Sequence, residues 1–248
     1  MGIGLGIVAS GTLVPLLLRQ GLMEAWIGLG VVSLVLTMLA WSGWPKQPAP
    51  QATHKPDQQR PSLTLRALYI EYGLNAASLT PHMIFLVDYV ARGRGEGLEA
   101  GAFYWVLFGL GAIVGPLAGG FIADRIGFRQ ALRLAFAIQA VAVIVPALGL
   151  GAVALMVSSA VVGAAVPGIV ALVLGRVHEL LPHAPAQQKA AWGKATTSFA
   201  VFQAIGAYGI SFLFEKTGGH YATLFAVAAA AAVLALLIDL VAGKRRAA

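Results

Sequence analysis

Residues 119–132, GGFIADRIGFRQAL, place a short charged segment between two long apolar runs. The runs cover roughly 98–123 and 131–150, and each has about the 20 residues that a helix needs to cross a bilayer. A short charged segment between two such runs is typical of a loop that joins two transmembrane helices. The stretch therefore predicts a helical membrane protein.

The composition of the whole chain indicates the same class. Its 248 residues are 58% hydrophobic and 11% charged, whereas soluble domains carry about 25% charged residues because much of their surface faces water. The absence of cysteine excludes disulfides, zinc ribbons, iron–sulfur clusters and thiol nucleophiles. The net charge of +7 is spread over short loops, so membrane lipid is the expected surrounding and nucleic acid is not an expected partner.

Windows of about 20 apolar residues pick out eight predicted spans. They run roughly over 2–18, 24–44, 65–91, 98–123, 131–150, 152–174, 191–214 and 221–241. Residues 45–63 are rich in Pro, Gln and charge, so they cannot bury apolar surface and are predicted to form a solvated linker. We expect an all-α chain with two transmembrane helices in 1–44, a cytoplasmic linker in 45–63 and a six-helix unit in 64–248.

Lysine and arginine lie mainly on one side of these predicted spans. The four on the other side are Arg19, Arg92, Arg94 and Lys216, out of 17 in the chain. The positive-inside rule then places both termini and the linker in the cytoplasm, and an even number of spans agrees. The first segment lacks a basic start and a small-residue cleavage site, so we expect it to remain as a helix.

Each residue type in the loop around Asp124 has a physical use. Gly120 lets a neighbouring helix approach, Asp124 puts a carboxylate at a helix end and Gly127 permits a tight turn. Arg125 and Arg129 supply donors to that carboxylate or to lipid phosphate. The alternative is a positively charged cytoplasmic loop that contains one acid.

The order G-x-x-x-D-R-x-G-x-R resembles the signature loop of the major facilitator superfamily, which recurs between helices two and three and between helices eight and nine. Phe128 stands where the family usually has its first basic residue, and Arg129 matches the second. If the linker is the family's long central loop, the six later spans resemble helices seven to twelve and the first two resemble helices five and six. The resemblance thus implies a partial major facilitator fold that lacks the first four helices.

Two stretches of the third span narrow the resemblance. Residues 69–77, YIEYGLNAA, and 81–88, PHMIFLVD, look like the YbfB/YjiJ-type branch of that superfamily, and the resemblance covers the chain from Gly2. It implies a secondary transporter of a small molecule in the bacterial cytoplasmic (inner) membrane, driven by an ion gradient and without a bound cofactor. Symport or antiport would proceed by alternating access, with binding near the bilayer midplane between two halves.

The third span also carries polar residues on one face. At 100° per residue, Glu71, Asn75, Ser78 and His82 fall within about 60° of one another, so this polar stripe cannot face lipid. An ionisable group at membrane depth must be paired or face a wet cavity, which makes Glu71 and His82 candidates for binding substrate or a proton. The alternative is a structural network that ties this helix to its neighbours.

The seventh span supplies further polar side chains. Gln203, together with Thr196, Thr197 and Ser198, can line a substrate path or satisfy a neighbouring helix. Gln139 is the lone polar group of the fifth span and is expected to be structural. The last span is almost entirely apolar as far as 238 and is expected to face lipid.

Two other features have structural interpretations. Gly111, Gly115 and Gly119 form a G-x-x-x-G-x-x-x-G row that favours close helix packing. Asp88 precedes Arg92 by one helical turn and is expected to form a salt bridge with it at the membrane rim.

Enzymatic function is not expected. His178 and His183 are five residues apart rather than four, and Pro182 breaks the helix that would have to align them, so no zinc-protease site is predicted. The sequence has no Walker loop for ATP and no metal-ligand spacing.

The rival to a transporter is a truncated, non-transporting membrane subunit or fragment that packs against a partner. That partner would be the missing N-terminal helices or another chain. Further apolar spans encoded in frame upstream of Met1 would favour the transporter, and a stop codon there would favour the subunit.

Overall fold

A computed structural model of the protein describes residues 2–43 and 62–244. Their helices are α1 (Gly2–Leu18), α2 (Leu22–Trp41), α3 (Leu63–Asp88), α4 (Gly97–Ile126), α5 (Phe128–Leu148), α6 (Gly151–Leu180), α7 (Pro185–Lys216) and α8 (Tyr221–Lys244). A π-helical turn, Tyr89–Gly93, follows α3. The predicted all-α class is confirmed, because the described residues contain no strand.

Six of the helices are long and apolar enough to cross a membrane by length and composition. They are α2 and α4 to α8. The apolar α1 is shorter, at 17 residues, and α3 carries the polar stripe. These helices make the protein an integral membrane protein.

The helices extend beyond the apolar windows that predicted them. α7 begins at Pro185 rather than at about 191, because proline is suited to the first position of a helix and polar residues form the opening turns. α3 begins at Leu63, where the Ser62 hydroxyl accepts a hydrogen bond from the Leu65 N–H at 3.3 Å. The predicted linker lies outside the described residues except at its last two positions.

The six helices α3 to α8 pack into one unit. α3 packs along α7 and α8, α4 packs along α6, and α5 packs on both α6 and α8. We call the end of this unit where α3, α5 and α7 begin the loop end, since it includes Asp124 and Gly127. One apolar cluster of the core includes Tyr72 and Phe136, and a second, further from the loop end, includes Leu79 and Phe108.

The first two helices form a hairpin that joins the six-helix unit through α4. α1 packs against α4, and the Trp105 indole N–H donates a hydrogen bond to the Ser10 hydroxyl at 3.1 Å. At the end of the unit opposite the loop end, Arg19 forms an exposed salt bridge with Glu99. α2 packs mainly on α1, and most of its surface is exposed.

The last helix faces lipid on one side only. Small and apolar residues such as Leu224, Phe225 and Ala232 are buried against the neighbouring helices, whereas Leu237 and Val241 are exposed. The expectation that this span faces lipid therefore agrees with the exposed side of α8, whereas its other side packs inside the unit. An all-apolar sequence gives no periodic signal that would distinguish its buried face from its lipid face.

The glycine row of α4 packs directly on the backbone of α6. A Cβ placed on Gly111 would overlap the carbonyl oxygen of Ala160, and one on Gly115 would overlap that of Ala164. Gly119 is less constrained, because a Cβ there would stand 3.5 Å from the carbonyl oxygen of Gly168, an ordinary contact. Close approach of α4 and α6 therefore depends on the first two glycines of the row.

We expect Gly115→Ala to destabilise the fold by about 1–3 kcal/mol, because α4 and α6 must separate to admit the methyl group. Gly119→Ala is the matched control on the same helix and should be neutral or slightly stabilising, since alanine favours helix. Thermal unfolding of the purified variants in detergent measures both. Equal unfolding temperatures for the two variants would contradict the packing described for Gly115.

Candidate functional site

The polar stripe of α3 lies inside the six-helix unit. Glu71, Asn75, Ser78 and His82 are each no more than 2% exposed. Asn75, Ser78 and His82 form hydrogen bonds to other helices across the core, and Glu71 lines a cavity at the loop end. The stripe therefore consists of three separate environments along one helix face.

The middle of the stripe is a closed ring of neutral hydrogen bonds between α3 and α5. The Asn75 amide donates to Gln139 Oε1 at 2.6 Å, and the Gln139 amide donates to the Ser78 hydroxyl. Ser78 in turn donates to the Asn75 backbone carbonyl at 2.7 Å. Asn75 Oδ1 is buried and has no hydrogen-bond partner among the described residues. Gln139 thus has the structural role that the sequence suggested, and it bonds to two residues of the candidate stripe, Asn75 and Ser78.

His82 bonds to α6 further from the loop end. Its Nε2 lies 3.1 Å from the Ser158 hydroxyl, which donates its own proton to the Ala142 carbonyl at 2.7 Å. Because the serine proton is already used in the bond to Ala142, His82 Nε2–H must be the donor in the bond to Ser158. The edge of the imidazole packs on Phe225, with ring centroids 5.1 Å apart. Within the described part of the chain, buried Nδ1 has no partner, so it is left as an acceptor.

Glu71 faces a cluster of charged side chains near the loop end. It lines a cavity of about 10 Å³ together with Thr64, Arg129, Arg176 and Asp239, which is about the room that one water molecule needs. The hydrogen bonds of the described residues include none to the Glu71 carboxylate. Among residues 2–43 and 62–244, the carboxylate therefore lies beside guanidinium groups without a direct ion pair.

Two of the other charged residues that line this cavity, Asp239 and Arg176, form salt bridges. Arg133 forms a salt bridge with Asp239 that joins α5 to α8, and it also donates to the Asp239 backbone carbonyl at 3.3 Å. Arg176 binds Glu179 at 2.7 Å on α6. Asp239 was missed by the sequence analysis, although an acid and a base inside two apolar spans are the signal that could have found the pair.

The loop between α4 and α5 is fixed to the end of α6. Gly127 makes the turn at φ 81°, a conformation that favours glycine. The Phe128 N–H donates to Glu179 Oε1 at 3.3 Å. The Phe128 ring lies against Gly175, where a Cβ would overlap it. An aromatic contact thus occupies the place where the usual signature loop has a basic residue.

Two charged residues of the same loop, Asp124 and Arg125, are exposed, whereas Arg129 is half-buried. Arg125 stacks its guanidinium 3.4 Å from the centre of the Phe121 ring. In the described ranges, neither Arg125 nor Arg129 forms a salt bridge with Asp124. A Cβ on Gly120 would meet nothing within 4 Å. The expected use of Gly120 for a helix approach therefore has no counterpart among the described residues.

The polar residues of α7 lie apart from the stripe. Gln203 Nε2 lies 3.5 Å from the sulfur of Met83, which is on an exposed part of α3. Thr196 and Thr197 donate to carbonyls of their own helix, and Ser198 donates to a backbone carbonyl of α3 at 2.7 Å. The structure thus separates Gln203 from the four residues of the stripe.

The predicted salt bridge between Asp88 and Arg92 is confirmed. Asp88 also accepts a hydrogen bond from the Tyr221 hydroxyl at 2.6 Å, which joins the end of α3 to the start of α8. This carboxylate therefore holds two helices together at the end of the unit opposite Glu71.

We expect Phe128→Ala to lower the stability of the protein by about 2 kcal/mol, roughly half of the cost for a fully buried ring. The matched control is Phe121→Ala in the same region, because that exposed ring packs mainly under Arg125. Thermal unfolding in detergent provides the comparison. If Phe121→Ala costs as much as Phe128→Ala, the contact with Gly175 does not fix the loop.

Comparisons with known proteins agree with this architecture. Residues 1–240 match the model of a family described as "Uncharacterised MFS-type transporter YbfB". No curated protein matches the chain. A crystal structure of a bacterial homologue of the iron transporter ferroportin, in an outward-facing state, is similar in fold, with a TM-score of 0.62 and 15% sequence identity. The match covers 96% of this chain and 60% of that one, so the chain spans about 60% of that transporter's length.

Proposed function

Because the chain belongs to the YbfB-type family of major facilitator superfamily transporters, we propose that it is a secondary active transporter of a small molecule, coupled to protons. It would work by alternating access in the bacterial cytoplasmic membrane, with both termini in the cytoplasm. α1 and α2 would correspond to helices five and six of the family, and α3 to α8 to helices seven to twelve.

The observation that supports proton coupling is the contrast between two carboxylates at the loop end. Asp239 is bound directly by Arg133, as expected for an acid that serves to hold two helices together. Glu71 is more deeply enclosed than Asp239, yet it faces Arg129 and Arg176 across a cavity rather than through an ion pair. A carboxyl group in that position can take up a proton or release one without breaking a salt bridge.

The position of Glu71 along α3 suits this role. It follows the first residue of the helix by eight positions, or about 12 Å of helix rise, which is below the headgroups but within reach of water from the loop end. Arg129 and Arg176 lie on α5 and α6, so a shift of α3 relative to those helices would change the charge that Glu71 experiences. Such a shift is what alternating access by rocking requires.

We expect Glu71→Gln to abolish substrate accumulation driven by a pH gradient, while exchange of substrate across the membrane continues. The amide fills the same space but cannot carry the proton. Glu99→Gln is the matched control, because it makes the same chemical change at an exposed carboxylate on α4.

The measurement is uptake into proteoliposomes with and without an imposed pH gradient, using a labelled compound first selected by exchange from a panel of small molecules. Accumulation by Glu71→Gln equal to that of the unmodified protein would show that the carboxylate is structural. If the unmodified protein and both variants move the substrate only down its concentration gradient, proton coupling itself is refuted.

A second candidate is a non-transporting membrane subunit that packs against a partner. The exposed surfaces of α2 and α7 favour it, since only 6% of the apolar window of each helix is buried in the described structure. Protein that inserts and folds, yet exchanges no compound and purifies as a stoichiometric complex, would support this candidate over the transporter.

A further inference from the structure

An open apolar groove runs between α3 and α8 at the loop end. It has a volume of about 760 Å³. Its apolar walls are formed by Leu63, Ala67 and Ile70 of α3 and by Leu234, Leu237, Ile238, Val241 and Ala242 of α8. The polar lining residues, Thr64 and Arg66, both belong to the first turns of α3. The groove is thus apolar along its length and polar at one end.

The polar end of the groove is positively charged. Arg66 is exposed, and no carboxylate of the described residues lies within salt-bridge distance of it. Asp239 on α8 does not offset this charge, because it is bound by Arg133 of α5.

We propose that the groove binds one anionic phospholipid, with an acyl chain along the apolar walls and the phosphate at Arg66. The apolar walls suit hydrocarbon of any lipid, so they supply affinity without choosing a headgroup. Selectivity comes from charge, since each basic residue near the membrane surface favours an anionic lipid by about fivefold in affinity. The combination of groove and cation at one helix end distinguishes this place from the two apolar grooves among α4, α5 and α6, whose described linings contain no charged residue.

The groove adjoins the cavity that contains Glu71. Thr64 and Ala242 line both spaces, so they form the wall between them. A phosphate at Arg66 would add negative charge on the far side of this wall from Glu71, Arg129 and Arg176. A bound anionic lipid would thereby change the electrostatic potential at the candidate proton site. Lipid binding itself does not depend on proton coupling.

The test is a binding titration of the purified chain in neutral detergent, followed by native mass spectrometry. The ligands are short-chain phosphatidylglycerol, short-chain phosphatidylcholine and inorganic phosphate. We expect saturable binding of one phosphatidylglycerol, at least fivefold weaker binding of phosphatidylcholine and no binding of phosphate, which lacks a chain for the apolar walls.

Two variants separate the charge from the groove. Arg66→Gln should weaken phosphatidylglycerol binding about fivefold and leave phosphatidylcholine unchanged. Ala67→Phe should weaken both lipids because the ring fills the groove. Lys189→Gln is the matched control, because it removes an exposed charge at the same end of the unit from a residue that does not line the groove. Helix content and monodispersity confirm that each variant is folded.

Several results would overturn the proposal. Equal affinity for the two lipids would mean ordinary bilayer contact, and binding of phosphate alone would mean a free-anion site. Unchanged binding in both Arg66→Gln and Ala67→Phe would place the lipid elsewhere. A last variant replaces residues 45–61 by a Gly-Ser segment of equal length. If phosphatidylglycerol binds only to this variant, this part of the chain itself occupies the groove.

Discussion

Hydrocarbon cannot hydrogen-bond, and this constraint determines how the six-helix unit is assembled. Every polar side chain at membrane depth must find its partner inside the protein. α3 carries four such residues on one face, so that face must turn inward, and the helices that meet it must supply the partners. Gln139 of α5 and Ser158 of α6 do so, which places α3 against the core of the unit.

The sequence predicted the helices and the inward face of α3, because both depend on local periodicity. It also identified Gly111 and Gly115 as packing residues, since a four-residue repeat of glycine has few other uses in an apolar helix. The partners of the stripe were not predictable. Ser158 is one of two adjacent serines in α6, and its selection by His82 depends on how α3 and α6 are aligned in three dimensions.

The loop around Asp124 shows a different limit of sequence reasoning. A family pattern records which residue types are usual, and it marks Phe128 as a departure with fewer charge contacts. In the structure, the Phe128 ring packs against Gly175 of α6, where the absence of a side chain leaves room for the ring. The two residues lie 47 positions apart in the sequence, so their complementarity becomes apparent only when α5 and α6 are packed together.

The distribution of polar bonds indicates which parts of the protein move together. Hydrogen bonds and salt bridges join α3 to α5, α6, α7 and α8, and further bonds join α5 to α6 and to α8. α4 is held to α6 by backbone contact at its glycines. Separating any of these helices would expose polar groups to hydrocarbon or open a packed interface, so the unit resists internal deformation. Movement of this unit as one body would then cost less than bending its helices, and the small cavity at Glu71 would be carried along with the unit.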